Sequence, residues 1–266
     1  MADRNAIGAL LGIPVTGIVP LHGGSLSQVM RVTLTDGRVV VAKSGPLVAR
    51  EARMLAAMAQ AGVPCPAVIA LAGDLMLMEH LDETRAGPAG WAALGRALSR
   101  LHAARGAGYG WDEDHAFGPA AIPNAPCPDW PGFWAERRLL AWPGALPADL
   151  AGRVERLAAR LPDLLPRHPP PALLHGDLWA GNVLFTQQGA ALIDPACYHG
   201  HAEVDLAMLH LFGRPGADLA GAYDPPEPGW QARRPLYQLW PALVHLRLFG
   251  GGYRGMVEKC LDAVGA

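Results

Sequence analysis

Residues 172–194, ALLHGDLWAGNVLFTQQGAALID, constrain the fold more than any other stretch of this 266-residue chain. Leu173 and Leu174 read as a short buried element. NVLF and GAALID read as two short strands turning near Gln187-Gln188-Gly189. Asp177 and Asn182 then stand on a loop between ordered elements, and Asp194 stands at the end of the next strand. Three oxygen-bearing side chains can converge at one loop edge. Oxygen ligands suit Mg2+. A carboxylate free of the metal can accept a proton from a hydroxyl.

The rest of the chain must supply a scaffold for that edge. In MRVTLTDGRVVVAKS (30–44), Val32 and Leu34 alternate with polar residues and Asp36-Gly37 predicts a hairpin turn. Val39, Val41 and Lys43 share one face of the second strand, because strand side chains repeat every two residues. PLVAREARMLAAMAQAG (46–62) predicts a helix with Val48, Ala52, Leu55, Ala56 and Ala59 along its apolar face, ended by Gly62. PAVIALAGDLMLMEHL (66–81) predicts a second hairpin about Gly73-Asp74. The first 80 residues therefore read as a small antiparallel sheet with one inserted helix. Helical patterns dominate afterwards, at 90–104, 129–142, 149–165 and 235–253. The expected fold is α+β, with a boundary near residue 80 that separates residues 1–80 from residues 81–266.

Composition excludes several classes. Net charge is -2 with no block of Lys or Arg, so a nucleic-acid partner is not expected. No apolar run nears the length of a membrane span. The start, MADRNAIGALLGIPVTG, mixes charges and breaks at Gly12 and Pro14, unlike a signal peptide. The four cysteines, Cys65, Cys127, Cys197 and Cys260, form no C-x-x-C pair. A reducing cytoplasm with free thiols is the expected setting, and Cys197 is expected to be buried and unreactive.

An Asn five residues after an Asp, and a second Asp twelve residues after that Asn, is the spacing of a phosphoryl-transfer site of protein-kinase type. In such a site Asp177 orients the attacking hydroxyl, and Asn182 and Asp194 hold Mg2+. Upstream pieces fit ATP. Lys43 can meet the phosphates and Glu51 can hold Lys43 in place. HGGSLSQ (22–28), with Gly23, Gly24 and Ser25, can bring backbone N–H groups over the phosphates. MLMEHL (76–81) joins the two parts, so the backbone at Glu79, His80 and Leu81 is expected to bind adenine.

LLHGDLWAGNVLF, ALIDPACYHGHAEVDLAM, FWAERRLL and PLYQLWPALVHLRLFGGGY together resemble the fructosamine kinase (ketosamine-3-kinase) family, from about residue 20 to the C-terminus. The Asp-Asn-Asp core alone is shared with aminoglycoside phosphotransferases and choline kinases. The resemblance implies a bilobal protein-kinase-like fold. It also implies ATP- and Mg2+-dependent phosphorylation of the 3-hydroxyl of a ketoamine, on a small molecule or a glycated protein lysine. Asp177 is then the base. Trp179 lies against the sugar, and Tyr198, His201 and Glu203 belong to the segment that shapes the substrate side and packs Asp205 against the catalytic loop. His199, His201 and Glu203 also have the look of a metal cluster, a reading that the resemblance displaces. His102 is expected to be a core histidine. The family's phosphate loop often carries a thiol where Ser25 stands here. The alternatives are a phosphotransferase of aminoglycosides or other small alcohols, and a nucleotide-binding scaffold without catalysis. The first needs clustered carboxylates, and those after Asp194 are spread out. The second sits poorly with the presence of Lys43, Asp177, Asn182 and Asp194.

Overall fold

The computed structural model describes residues 3–21 and 28–266. Gly23, Gly24 and Ser25 of the expected phosphate loop lie outside the described residues. The chain forms two compact units. One comprises Met1–Arg100, Gly181–Pro195 and Gly216–Tyr223; the other comprises Leu101–Ala180, Ala196–Pro215 and Asp224–Ala266. The unit holding the large sheet thus runs past residue 80 and takes in two later segments.

The first unit opens with helix α1 (Arg4–Leu11) and strands β1 (Val15–Pro20), β2 (Gln28–Leu34) and β3 (Val39–Ser44). Helix α2 (Val48–Gln60), strands β4 (Val68–Ala72) and β5 (Leu75–Glu79) and helix α3 (Pro88–Ala103) follow. The strands make one antiparallel sheet in the order β1-β2-β3-β5-β4. Asp36-Gly37 makes the expected turn: Gly37 has φ +85°, and the Asp36 carboxylate accepts the Arg38 N–H at 3.0 Å. That turn sets the register, with Val32 opposite Val40. Val32, Leu34, Val40, Ala42 and Leu77 bury one face of the sheet together with Ile7 of α1. Helix α1 was not anticipated. It is short, but Asp3 caps it by accepting the Asn5 N–H, and Gly12 ends it at φ +68°. The described part of the first 80 residues therefore carries two helices, not one.

The buried face of α2 also differs from expectation. It consists of Val48, Glu51, Met54, Leu55 and Met58, while Ala56 and Ala59 are exposed. The helix turns its larger side chains inward, since they remove more apolar area from water than alanine does. Glu51 lies on this inward face. The later hairpin, Val183–Thr186 with Gly189–Leu192, pairs as expected. It is fastened to this unit by Leu192 N–H to the Pro64 carbonyl (2.9 Å) and Thr84 N–H to the Phe185 carbonyl (2.7 Å).

The second unit is mainly helical. Trp130, Phe133, Trp134, Leu157, Leu161, Tyr198, Tyr237 and Trp240 lie in its core. Trp130 and Trp134 are core side chains, and Cys197 is buried as expected. The helix Trp130–Trp134 continues as a π-helix over Ala135–Leu139. Strand Ala172–Leu174 pairs antiparallel with Tyr198–Gly200, placing Tyr198 opposite Leu174. No helix among the described residues is long and apolar enough to cross a membrane.

A polar chain runs through that core. Trp130 Nε1 donates to the Tyr237 hydroxyl oxygen at 3.0 Å. The hydroxyl is 2.7 Å from His201 Nδ1 and can give its proton to that nitrogen. Burial, helped by Arg233 and His102, pushes His201 down to about 3 from 6.5. Between these values the unfolded chain binds a proton that the folded chain refuses, so stability falls as pH falls from 6.5 towards 3. Urea unfolding from pH 7 to pH 4.5 should show a steeper loss in the wild type than in His201→Gln. Equal slopes would contradict the assignment.

Candidate active site

The first unit gathers Lys43, Glu51 and Asp194. Lys43 lies near the end of β3, opposite Met76 of β5, and is 5% exposed. A bare ammonium in such a place is strongly disfavoured. Two carboxylates answer it: Lys43 Nζ is 2.6 Å from Glu51 Oε2 and 2.8 Å from Asp194 Oδ1. Burial alone would lower the Lys43 pKa, but the two carboxylates outweigh it and raise the value, so the amine stays charged. Glu51 arrives because the first turn of α2 follows β3 closely. Asp194 arrives through the later hairpin.

That hairpin also explains how Asn182 and Asp194 come together. Val183 pairs with Leu192. The next residues outward are Asn182 and Ile193, and the Ile193 N–H donates to the Asn182 carbonyl at 3.1 Å. Asp194 is thus one residue from the Asn182 backbone. Asn182 closes a single 3-10 turn, Ala180–Asn182, and is buried. Asp194 has φ +53°, the one non-glycine residue in the left-handed region among the described residues. Short polar side chains tolerate that conformation best. Strain of this kind persists where the surroundings over-determine it, and the ion pair to Lys43 is such a constraint. An amide and a carboxylate, joined at the open end of a hairpin, form an oxygen donor set that fits Mg2+.

At the exit of the sheet, the Glu79 carboxylate accepts the Ala67 N–H at 3.3 Å and the Glu79 N–H donates to the Ala67 carbonyl at 2.9 Å. His80 and Leu81 are half-buried.

The second unit holds His175, Gly176 and Asp177. Asp205 is fully buried and accepts the N–H groups of His175 (2.7 Å) and Gly176 (3.0 Å). His102 Nε2 is 3.1 Å from the same carboxylate. Burial would raise the Asp205 pKa, but the bond to His102 and the nearby His175 lower it on balance. The carboxylate therefore pins the backbone just before Asp177. Gly176 has φ +79°, and a methyl group there would collide with the Ala196 carbonyl. The Asp177 N–H reaches His175 Nδ1 at 3.3 Å. Trp179 is 41% exposed, one of the larger exposed apolar side chains among the described residues.

Tyr198, His201 and Glu203 are buried. The Tyr198 ring stacks on Phe133, His201 meets Tyr237, and Glu203 accepts two bonds from Arg233 at 2.8 and 2.5 Å. Their side chains are taken up inside the unit. His201, Glu203 and Glu227 bring ligand atoms within 4.8 Å of one another, the geometry behind the metal-cluster look of this segment. The Arg233 guanidinium already supplies the positive charge there. The sequence reading missed Arg233, Tyr237 and Arg138. The signal for Arg138 was present: two arginines interrupt an aromatic helical segment at FWAERRLL.

The family model for fructosamine kinase matches residues 9–265. A "Probable ketoamine kinase" of Synechocystis sp. is 40% identical over 195 residues, which is 70% of this chain and 66% of that protein. A "Probable ketoamine kinase" of Thermus thermophilus is 36% identical over 252 residues, covering 92% and 93% of the two chains. A crystal structure of a candidate fructosamine-3-kinase from Thermobifida fusca superposes with a TM-score of 0.90 at 34% identity, covering 99% of this chain and 98% of that one.

Replacing Asp205 tests the pin on the loop. Asp205→Ala leaves two backbone N–H groups and His102 without their buried partner. Removing one side of such a buried network costs about 3–5 kcal/mol. Equilibrium urea unfolding should show a loss of that order. A loss below about 1 kcal/mol, the size of an ordinary hydrogen bond, would mean that the carboxylate does not hold the loop.

Proposed function

The chain belongs to the fructosamine kinase family and is an ATP-dependent phosphotransferase, and from that premise we propose that it phosphorylates the 3-hydroxyl of a ketoamine. The substrate class is the product of a sugar with an amine, of fructosamine or ribulosamine type, free or on a protein lysine. The reaction labels such adducts for removal and so repairs glycation. The observation that carries phosphoryl transfer is the buried Lys43, held between Glu51 at 2.6 Å and Asp194 at 2.8 Å, and the family match over residues 9–265 supports the ketoamine as acceptor.

In this proposal Lys43 meets the α- and β-phosphates of ATP and Glu51 fixes its position. Gly23, Gly24 and Ser25 cover the phosphates, and the backbone from Glu79 through His80 to Leu81 takes the adenine. Asn182 and Asp194 would hold Mg2+, which supplies charge neutralisation on the phosphates. Asp177 accepts the proton of the 3-hydroxyl as its oxygen forms a bond to the γ-phosphorus. The bond from that phosphorus to the bridging oxygen breaks, and ADP leaves. The pin from Asp205 supports this role, because a base must be held at a defined point to act. Trp179 covers the apolar face of the sugar, for which an exposed indole is suited. The segment from Tyr198 through His201 to Glu203 shapes the acceptor side, with buried side chains that hold its backbone.

The test is ADP release with a ketoamine, with an aminoglycoside and with no acceptor. Release with the ketoamine alone is expected; release with the aminoglycoside alone would overturn the substrate class. Asp177→Asn should lower turnover about 10²- to 10⁴-fold while ATP affinity stays near the wild type, since only proton acceptance is lost. Trp179→Ala should raise the KM for the ketoamine and leave the KM for ATP little changed. An unchanged ketoamine KM with a lowered Tm would make Trp179 structural.

A further inference from the structure

Arg138 is fully buried within the π-helix Ala135–Leu139. Nothing in the proposed reaction uses it. Its Nη1 donates to the carbonyls of Pro123 and Arg137, each at 2.8 Å, and its Nη2 to Asn124 Oδ1 at 2.9 Å. Its flat guanidinium lies 4.1 Å from the centre of the Tyr198 ring, with Phe133 at 4.9 Å and Trp240 at 5.4 Å. The Nε atom, also buried, makes none of these three bonds. Burying a guanidinium carries a large desolvation cost, which these three bonds and the aromatic faces must offset. Retaining a guanidinium here calls for another reason.

The packing supplies one. Tyr198 stands opposite Leu174, and the strand ending at Leu174 runs straight into His175, Gly176 and Asp177. The Ala196 N–H donates to the His175 carbonyl at 2.8 Å. A methyl group on Gly176 would be 3.3 Å from Tyr198 Cε1, so the ring lies directly against the backbone before Asp177. Arg138 therefore backs a ring that backs the loop. A π-helix widens the turn and re-aims the side chains on it, and such turns are frequent at functional sites.

We infer that Arg138 is a positioning residue for phosphoryl transfer, holding Tyr198 against Gly176 and through it fixing where Asp177 sits. This rests on the reading of Asp177 as the base. Asp205 fixes the same loop by its N–H groups; Arg138 fixes it from the Tyr198 ring. Lysine cannot replace Arg138, because the stack needs the guanidinium plane and not only the charge.

The test compares Arg138→Lys, Asp177→Asn and the double variant by steady-state kinetics, well below each Tm. Arg138→Lys should lower kcat about ten- to a hundred-fold, the scale of a small misplacement of a reacting group. The KM for ATP should stay within about twofold of the wild type, as expected of a defect confined to the transition state. Placed on Asp177→Asn, it should lower turnover no further, because there is no longer a base to misplace. A wild-type kcat in Arg138→Lys, or a loss that adds in full to that of Asp177→Asn, would overturn the inference and leave the base assignment standing. Full turnover in Asp177→Asn alone would overturn the base assignment, and this inference with it. Should Arg138→Lys fail to fold, Asn124→Ala keeps the guanidinium and removes one acceptor. It should then show a smaller kcat defect, again absent on the Asp177→Asn background; a wild-type kcat would overturn the inference.

Discussion

The ammonium of Lys43 is the charge around which the first unit is built. It is buried on a sheet, and a buried ammonium destabilises a fold by several kcal/mol unless carboxylates face it. Glu51 and Asp194 provide them at 2.6 and 2.8 Å. One comes from the helix immediately after the strand, the other from a hairpin roughly 150 residues later. This is a physical reason why Gly181–Pro195 joins a unit formed mainly by the first part of the chain. It is also why α2 turns Glu51, a charged residue, towards its buried face. Removing either carboxylate would leave the amine under-compensated, and the helix or the hairpin would lose its fastening.

The second unit meets a similar problem with the opposite sign. Asp205 is a fully buried carboxylate, satisfied by two backbone N–H groups and His102. The arrangement converts an electrostatic need into a geometric one, since the carboxylate is content only when His175 and Gly176 adopt one conformation. The Arg233–Glu203 pair and the Trp130–Tyr237–His201 chain do the same deeper in the core. Such networks are destabilising when half satisfied, so they favour one arrangement of the loop that carries Asp177.

Local chemistry was legible in the sequence and long-range pairing was not. Asp36-Gly37 announced a hairpin because a turn of this kind is decided by its own residues. The spacing of Asp177, Asn182 and Asp194 pointed to a loop edge, and the hairpin between Val183 and Leu192 brings the last two together. Helix α1 escaped notice because it has eight residues and buries chiefly Ile7. The face of α2 was misjudged because the alanines follow the same spacing as the methionines, and only packing chooses between them. The pairing of Tyr198 with Leu174 joins residues far apart in sequence, which no local pattern encodes. His201 and Glu203 read from the sequence as part of the segment that shapes the substrate side. Their burial depends on Tyr237 and on Arg233, which stands two residues before the segment read as helical from the sequence.

The central claim is transfer of a phosphoryl group to one particular oxygen. Phosphorus NMR of the product formed from ATP and a ketoamine tests it directly. A phosphorus signal coupled to the proton on the third carbon of the sugar is expected. Coupling to a proton at another carbon, or inorganic phosphate as the only new species besides ADP, would contradict it.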